Sequence, residues 1–217
     1  PAKAHNSEAI KDGGELSPLT VEEQAIILKA LKKSSREYQL MFYLALFTGA
    51  RLQTICTLRI KYLFNRESDS HGFIRLPVGA GTGIDTKFQK PMTLLIPNWL
   101  AQGLKIYINS EQARQRRQKS NYGDSEENYV FLTKLGTPFY TSKAEQQELT
   151  ERIKASDFFC SKLKLYEGEA VRSYLKVVLL PEIRLIDPQF QSFKFHDLRA
   201  SFGMNLLESQ LEHLSEG

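Results

Sequence analysis

Two short segments place cationic and proton-transferring side chains where the surrounding pattern is otherwise apolar. The first is Leu46-Phe47-Thr48-Gly49-Ala50-Arg51-Leu52. Here Arg51 follows an apolar helical stretch and a glycine stop, at the start of a new helix. A guanidinium there lies beside unpaired backbone N–H groups and the positive end of a dipole, which suits a phosphate oxygen. The second is Phe195-His196-Asp197-Leu198-Arg199, with Phe202 continuing the apolar face. His196 and Arg199 are three apart, so on a helix a proton-transfer group and a bidentate anion binder face one ligand. Each segment alone has a plain structural explanation. An arginine at a helix start is commonly a surface residue, and His-x-x-Arg arises by chance.

The elements that must position these residues follow from periodicity and caps. Thr20 with Glu23 three residues later forms a capping-box pattern, and Ile26, Ile27, Ala30 and Leu31 follow at helical spacing. A second helix is expected from about Arg36 to Phe47, apolar nearly all round and therefore buried, with Gly49 stopping it in the left-handed conformation. A third starts near Leu52 and carries Ile55 and Leu58 inward. Phe73 to Val78 alternates as a strand, a Gly-rich turn follows at 79–83, and Met92 to Ile96 reads as the returning strand. One long helix is expected over Trp99–Lys119, a short strand over Tyr129–Leu132, and helices over 143–163, 167–180 and from after Phe195 to about Leu214. Residues 1–17, polar and containing Gly13 and Gly14, read as a linker or disordered tail, and 18–217 as one domain. The fold class is α+β, mainly helical, with a small antiparallel sheet.

Composition bounds the function. The chain has 217 residues, 41% of them hydrophobic, enough for one substantial core, and the 25% that are charged mix both signs. Lys and Arg number 29 against 25 Asp and Glu, an excess that permits a nucleic-acid partner without demanding one. Two cysteines, Cys56 and Cys160, make no disulfide framework, so a reducing, cytoplasmic setting is the default. No apolar run is long enough to cross a bilayer, no signal peptide is evident, and no CxxC or HExxH spacing marks a metal site. The basic run Arg114-Gln115-Arg116-Arg117-Gln118-Lys119 reads as a solvated helix end complementing the dipole, with a phosphate-contacting patch as the alternative.

Thr48-Gly49-Ala50-Arg51 resembles the first arginine box of the tyrosine recombinases and phage-type integrases. His196-Asp197-Leu198-Arg199 followed by Ser201-Phe202 is similar to their second box, and Leu19-Thr20-Val21-Glu22-Glu23 to the opening of their catalytic domain. The resemblance runs from about residue 17 onward. It implies a catalytic lysine on the hairpin between the boxes, for which Thr86-Lys87-Phe88-Gln89-Lys90-Pro91 offers Lys87, nearer the hairpin tip, ahead of Lys90, which is pinned next to Pro91. It also implies double-stranded DNA as partner, a DNA-bound tetramer in the parent protein, a bacterial or phage-type setting, and neither cofactor nor metal. Lys90, Arg114, Arg116 and Arg117 are then the DNA-binding candidates. The pattern departs at Thr54, where the family often has an acid, and at Ala200, where a His is common.

The implied chemistry is strand cleavage and rejoining through a phosphotyrosine. Arg51 and Arg199 clamp the non-bridging oxygens, Lys87 protonates the leaving 5′ oxygen, and His196 assists proton transfer. The family's further His or Trp and its nucleophilic tyrosine lie well beyond the second arginine. All nine tyrosines here precede His196, and His213 comes too early to be that His. The chain, opening at Pro1, therefore reads as a piece of a longer protein that stops before the nucleophile and does not itself cut DNA. Two other readings stand beside it: a non-catalytic DNA-binding module, and a helical protein-interaction domain in which Arg51 and His196 need not be near each other. A phosphatase- or nuclease-like use of the cluster is more distant.

Overall fold

The computed structural model describes residues 16–64, 66–155 and 164–215. The chain is pinned from the first described residues: the Ser17 amide donates to Asp197 Oδ1 (3.3 Å) and the Leu19 amide to Ser201 Oγ (2.9 Å). Thr20 then opens helix α1 (Val21–Leu31) with a complete capping box, its hydroxyl accepting from Glu23 N and its amide donating to Glu23 Oε2 at 2.8 Å.

Helix α2 (Arg36–Thr48) is the centre of the molecule. Leu40, Met41, Phe42, Leu44, Ala45 and Leu46 are all buried, as an all-round apolar helix must be. It ends at Gly49, whose φ of 65° and bond from N to Ala45 O (3.1 Å) are a left-handed cap. Two short helices follow, α3 (Leu52–Cys56) and α4 (Lys61–Phe64). Strands β1 (Phe73–Val78) and β2 (Met92–Pro97) pair antiparallel from Phe73↔Pro97 to Val78↔Met92. Ile74, Leu76 and Val78 from one strand and Leu94 and Ile96 from the other enter the core, so the period-two pattern is used as expected.

The expected long helix over Trp99–Lys119 is instead two helices, α5 (Asn98–Ile108) and α6 (Glu111–Gln118). Ser110 adopts extended backbone (ψ 148°) and its hydroxyl caps Ala113 N at 3.3 Å, so the chain turns there and starts again. No strand forms over Tyr129–Leu132. That stretch makes single bridges, Arg59↔Tyr129 and Leu132↔Pro138, and its buried amides are satisfied by loop carbonyls such as Leu58 O. Helix α7 (Lys143–Ala155) is the first part of the helix expected over 143–163; residues 156–163, Cys160 among them, lie outside the described residues.

The expected helix over 167–180 is longer and changes its winding. Helix α8 (Glu169–Tyr174) passes into a π-helical segment (Leu175–Leu179) and then α9 (Leu180–Arg184). Pro181 accounts for the widening: it supplies no amide hydrogen, and its ring would strike the carbonyl four residues back in a regular α-helix. The last element, α10 (Asp197–Ser215), crosses α2 and α1; the Asn205 and Gln24 side chains bond across it at 2.8 Å. Phe195 meets Phe42 edge-on (4.9 Å between centroids), and Tyr38 stacks on Tyr174 at 3.6 Å, which ties α2 to α8. The architecture is thus mainly helical with one small antiparallel sheet. Among the described residues, no helix is long and apolar enough to cross a membrane.

Candidate phosphate-binding site

The left-handed turn at Gly49 reverses the chain between α2 and α3 and leaves Arg51 as the cap residue of α3 (φ −74°, ψ 154°). With five residues, α3 contributes little dipole, so any anion affinity at Arg51 belongs to the guanidinium itself. A β-carbon at Gly49 would stand 2.5 Å from Phe202 Cδ1, so the close approach of α10 requires glycine for room as well as for φ.

The second box is built by its own aspartate. Asp197 is buried and accepts from the Lys194 amide (2.7 Å) and the Ser17 amide, which fixes the turn that carries His196 into α10. One turn on, Arg199 Nη1 donates to the Gly49 carbonyl at 2.9 Å. The two arginine boxes are therefore joined directly: Arg199 is bonded to the residue two positions before Arg51. On the other side, His196 shares a cleft of about 400 Å³ with Leu52, the residue after Arg51. Arg172 and Lys176 from the α8–π segment, and Lys194, border the same cleft. These three cations were not among the sequence candidates. Their spacing shows no pattern, because the tertiary fold brings them there.

The Lys87 loop is fastened to this site by a residue that the sequence reading missed. Lys87 begins a 3-10 turn (Lys87–Gln89) between β1 and β2. Two residues earlier, Asp85 is buried, and its carboxylate accepts from Gln53 Nε2 on α3 (2.9 Å), Gln89 Nε2 in the loop (3.0 Å) and the Lys143 amide that opens α7 (3.0 Å). Gln53 stands two residues after Arg51, so Asp85 sets the loop against the arginine-bearing helix. Lys87 and Lys90 are both exposed, and the Lys90 carbonyl accepts from the Thr86 hydroxyl at 2.7 Å.

The basic run on α6 is a correction. Arg116 is neither solvated nor free to meet phosphate: it is 4% exposed, bonded to Glu37 Oε1 (2.7 Å) and to the Leu132 carbonyl (2.9 Å). Arg117 is likewise buried, bonded to Asp124 Oδ1 and the Ile108 carbonyl, both at 2.7 Å. The break at Ser110 turns the last turn of α6 inward, and both guanidiniums then staple loops to the core. Arg114 stays exposed, 3.6 Å from Asp124.

The tyrosines with a resolved shift are all held toward the neutral phenol. Burial pushes Tyr38, Tyr107 and Tyr122 up to about 12, and it raises Tyr129, Tyr140 and Tyr174 as well.

Comparison with solved structures places the fold. The XerH site-specific recombinase bound to a palindromic difH substrate superposes with a TM-score of 0.53 at 17% identity, over 91% of this chain and 44% of that one. The Tn1549 transposon integrase, in complex with a circular intermediate DNA, gives 0.52 at 15% identity over 91% of this chain and 55% of that one. The XerA recombinase gives 0.50 at 15% identity, over 92% and 52%. The chain thus has the fold found in these tyrosine recombinases and spans about half of their length. No protein-family model matches the sequence, and no curated protein does.

Proposed function

We propose that this chain is the catalytic core of a tyrosine recombinase or integrase that cuts and rejoins duplex DNA. The observation that carries the reading is the Arg199–Gly49 bond, which draws the two arginine boxes, distant in sequence, into one site on a recombinase fold. On this reading Arg51 and Arg199 serve the non-bridging oxygens of a phosphodiester as it expands to five-coordinate phosphorus. A tyrosine oxygen attacks phosphorus as its own proton leaves with the assistance of His196, the bond to the 5′ oxygen breaks, and Lys87 gives that oxygen a proton. Attack by a 5′ hydroxyl reverses the step. The protein-interaction reading is the weaker one, since it has no need of the bond between the boxes.

On this reading the attacking tyrosine comes after the second arginine box, and all nine tyrosines of this sequence precede His196. The 217-residue chain by itself therefore binds duplex DNA without cutting it, and the parent works as a DNA-bound tetramer. In the parent, Arg199→Ala abolishes the covalent complex trapped on nicked DNA. Wild-type amounts of trapped complex in that variant would overturn the assignment. With the chain alone, binding to duplex DNA weakens steeply with salt, and Arg51→Ala and Arg199→Ala each lower the slope by about one.

A further inference from the structure

Phe88 stands at the tip of the Lys87 loop in a conformation that bulky residues avoid. Its φ is 58° and ψ 22°, the next residue Gln89 has φ 55°, and these are the only described non-glycine residues with positive φ. The ring is 86% exposed, more than any other large hydrophobic residue described. A strained backbone that delivered an apolar ring to the core would be explained by packing; here the ring is turned away from the core, toward water. Strain of this kind persists only where the surroundings impose it.

The surroundings do impose it. The Gln89 amide donates to Thr86 O (3.1 Å), the Lys90 amide to Lys87 O (3.3 Å) and the Ala80 amide to Gln89 O (3.1 Å). The Thr86 hydroxyl and the Asp85 carboxylate close the loop from either side, on Lys90 O and Gln89 Nε2. At its base, Gly79 lies so near the Lys90 carbonyl that a β-carbon would stand 2.5 Å from that oxygen. Lys87 and Lys90 stand on either side of Phe88 in the sequence, and Lys87 Nζ lies 5.5 Å from the ring centroid. Through Asp85 and Gln53 the loop is fastened to the helix that Arg51 opens, so the ring projects from the same body as the arginine site.

We propose that Phe88 is a wedge for duplex DNA, its ring pressing between neighbouring base pairs while Lys87 and Lys90 meet the phosphates on either side. An exposed apolar ring on a pre-ordered loop between two cations has the chemistry that partly unstacks a base step and kinks the helix. This inference rests on the DNA reading above and deepens it: the loop distorts the duplex beside the phosphate that the arginines hold.

The test compares binding of the whole chain to a short mixed-sequence duplex and to the same duplex with one central T·T mismatch. A mismatch lowers the cost of unstacking, so the wild type prefers the mismatched duplex by about tenfold. Phe88→Asn keeps the left-handed backbone at little cost, because asparagine tolerates it. That variant is expected to bind the two duplexes within about twofold of each other, with an unchanged salt slope and a melting temperature equal to or above wild type. A retained preference in Phe88→Asn overturns the wedge while leaving DNA binding intact. So does a lower melting temperature, which would show the ring serving the fold. If the wild type binds neither duplex, the DNA reading falls and takes the wedge with it.

Discussion

Arg199 Nη1 and the carbonyl of Gly49 are 2.9 Å apart, across 150 positions of sequence. The bond spends one donor of a five-donor guanidinium on orienting the group. It also depends on a backbone turn that only glycine adopts easily, at a point where Phe202 leaves no space for a side chain. The geometry of the site is thus set by a residue with no side chain of its own.

Gly49→Ala is therefore expected to act on both stability and the site. Left-handed backbone at alanine and the collision with Phe202 together cost about 2–4 kcal/mol, or roughly 10 °C in Tm for a chain of this size. A thermal melt checks this directly. An unchanged Tm would mean that α10 yields without resistance.

Asp85→Asn removes one of two carboxylate oxygens that together accept from Gln53, Gln89 and the Lys143 amide. The amide group puts a donor where a donor already points. The expected loss is about 1–3 kcal/mol in urea unfolding, and Gln53→Ala is milder because the carboxylate keeps its other two partners. Equal effects from the two variants would show that Asp85 is not the hub.

The two loop lysines can be separated by the leaving group. A 5′-bridging sulfur departs as a thiolate and needs no proton, so it bypasses a general acid. In the parent protein, Lys87→Ala is expected to slow cleavage of ordinary DNA on the order of 10²–10³-fold, as for loss of one preorganised group, and to recover on the sulfur-bridged substrate. Lys90→Ala should weaken binding on both substrates alike. Recovery by Lys90→Ala instead would exchange the roles.

What could be read from sequence was local. The Thr20–Glu23 capping box, the Gly49 stop and the alternating strands depend on neighbours a few positions away, and each stands where its pattern puts it. The break between α5 and α6 was also written locally, since Asn109-Ser110-Glu111 is a helix end followed by a cap residue and an acid, although one helix was expected across it. Arg116 could not be placed, because its partners Glu37 and Leu132 O lie 79 and 16 positions away. Asp85 was hidden for the same reason, with partners at 53, 89 and 143. The arginine boxes were readable as motifs, whereas the bond that unites them needed the crossing of α10 over α2.

The buried pair itself has a measurable signature. Glu37 and Arg116 are each 4% exposed, and Glu37 Oε2 has no hydrogen-bond partner among the described residues. Arg116→Met strands a buried carboxylate and should cost about 3–5 kcal/mol, whereas the double variant Glu37→Met/Arg116→Met should recover most of that loss. A double-mutant cycle from urea titrations reads the coupling. Additive losses would show that the two groups do not depend on each other. The salt slope of DNA binding should stay the same in all three variants, because Arg116 faces the core.

Stability should fall at alkaline pH in a defined window. Burial, the leading cause for each, raises Tyr38, Tyr107 and Tyr122 from the ordinary value of 10.0 to about 12. A raised phenol pKa in the folded state favours the form that keeps its proton. The stabilisation is complete below the unfolded value and is lost as pH rises through the folded one. Between about pH 10 and 12 the unfolded chain releases protons that the folded chain retains, and the melting temperature drops steadily. Phenolate absorbance near 295 nm followed beside far-ultraviolet circular dichroism tests the sign. These tyrosines are expected to ionise late and together with unfolding. Full ionisation near pH 10 with the helices intact would show that the phenols are open to water and contribute no pH dependence.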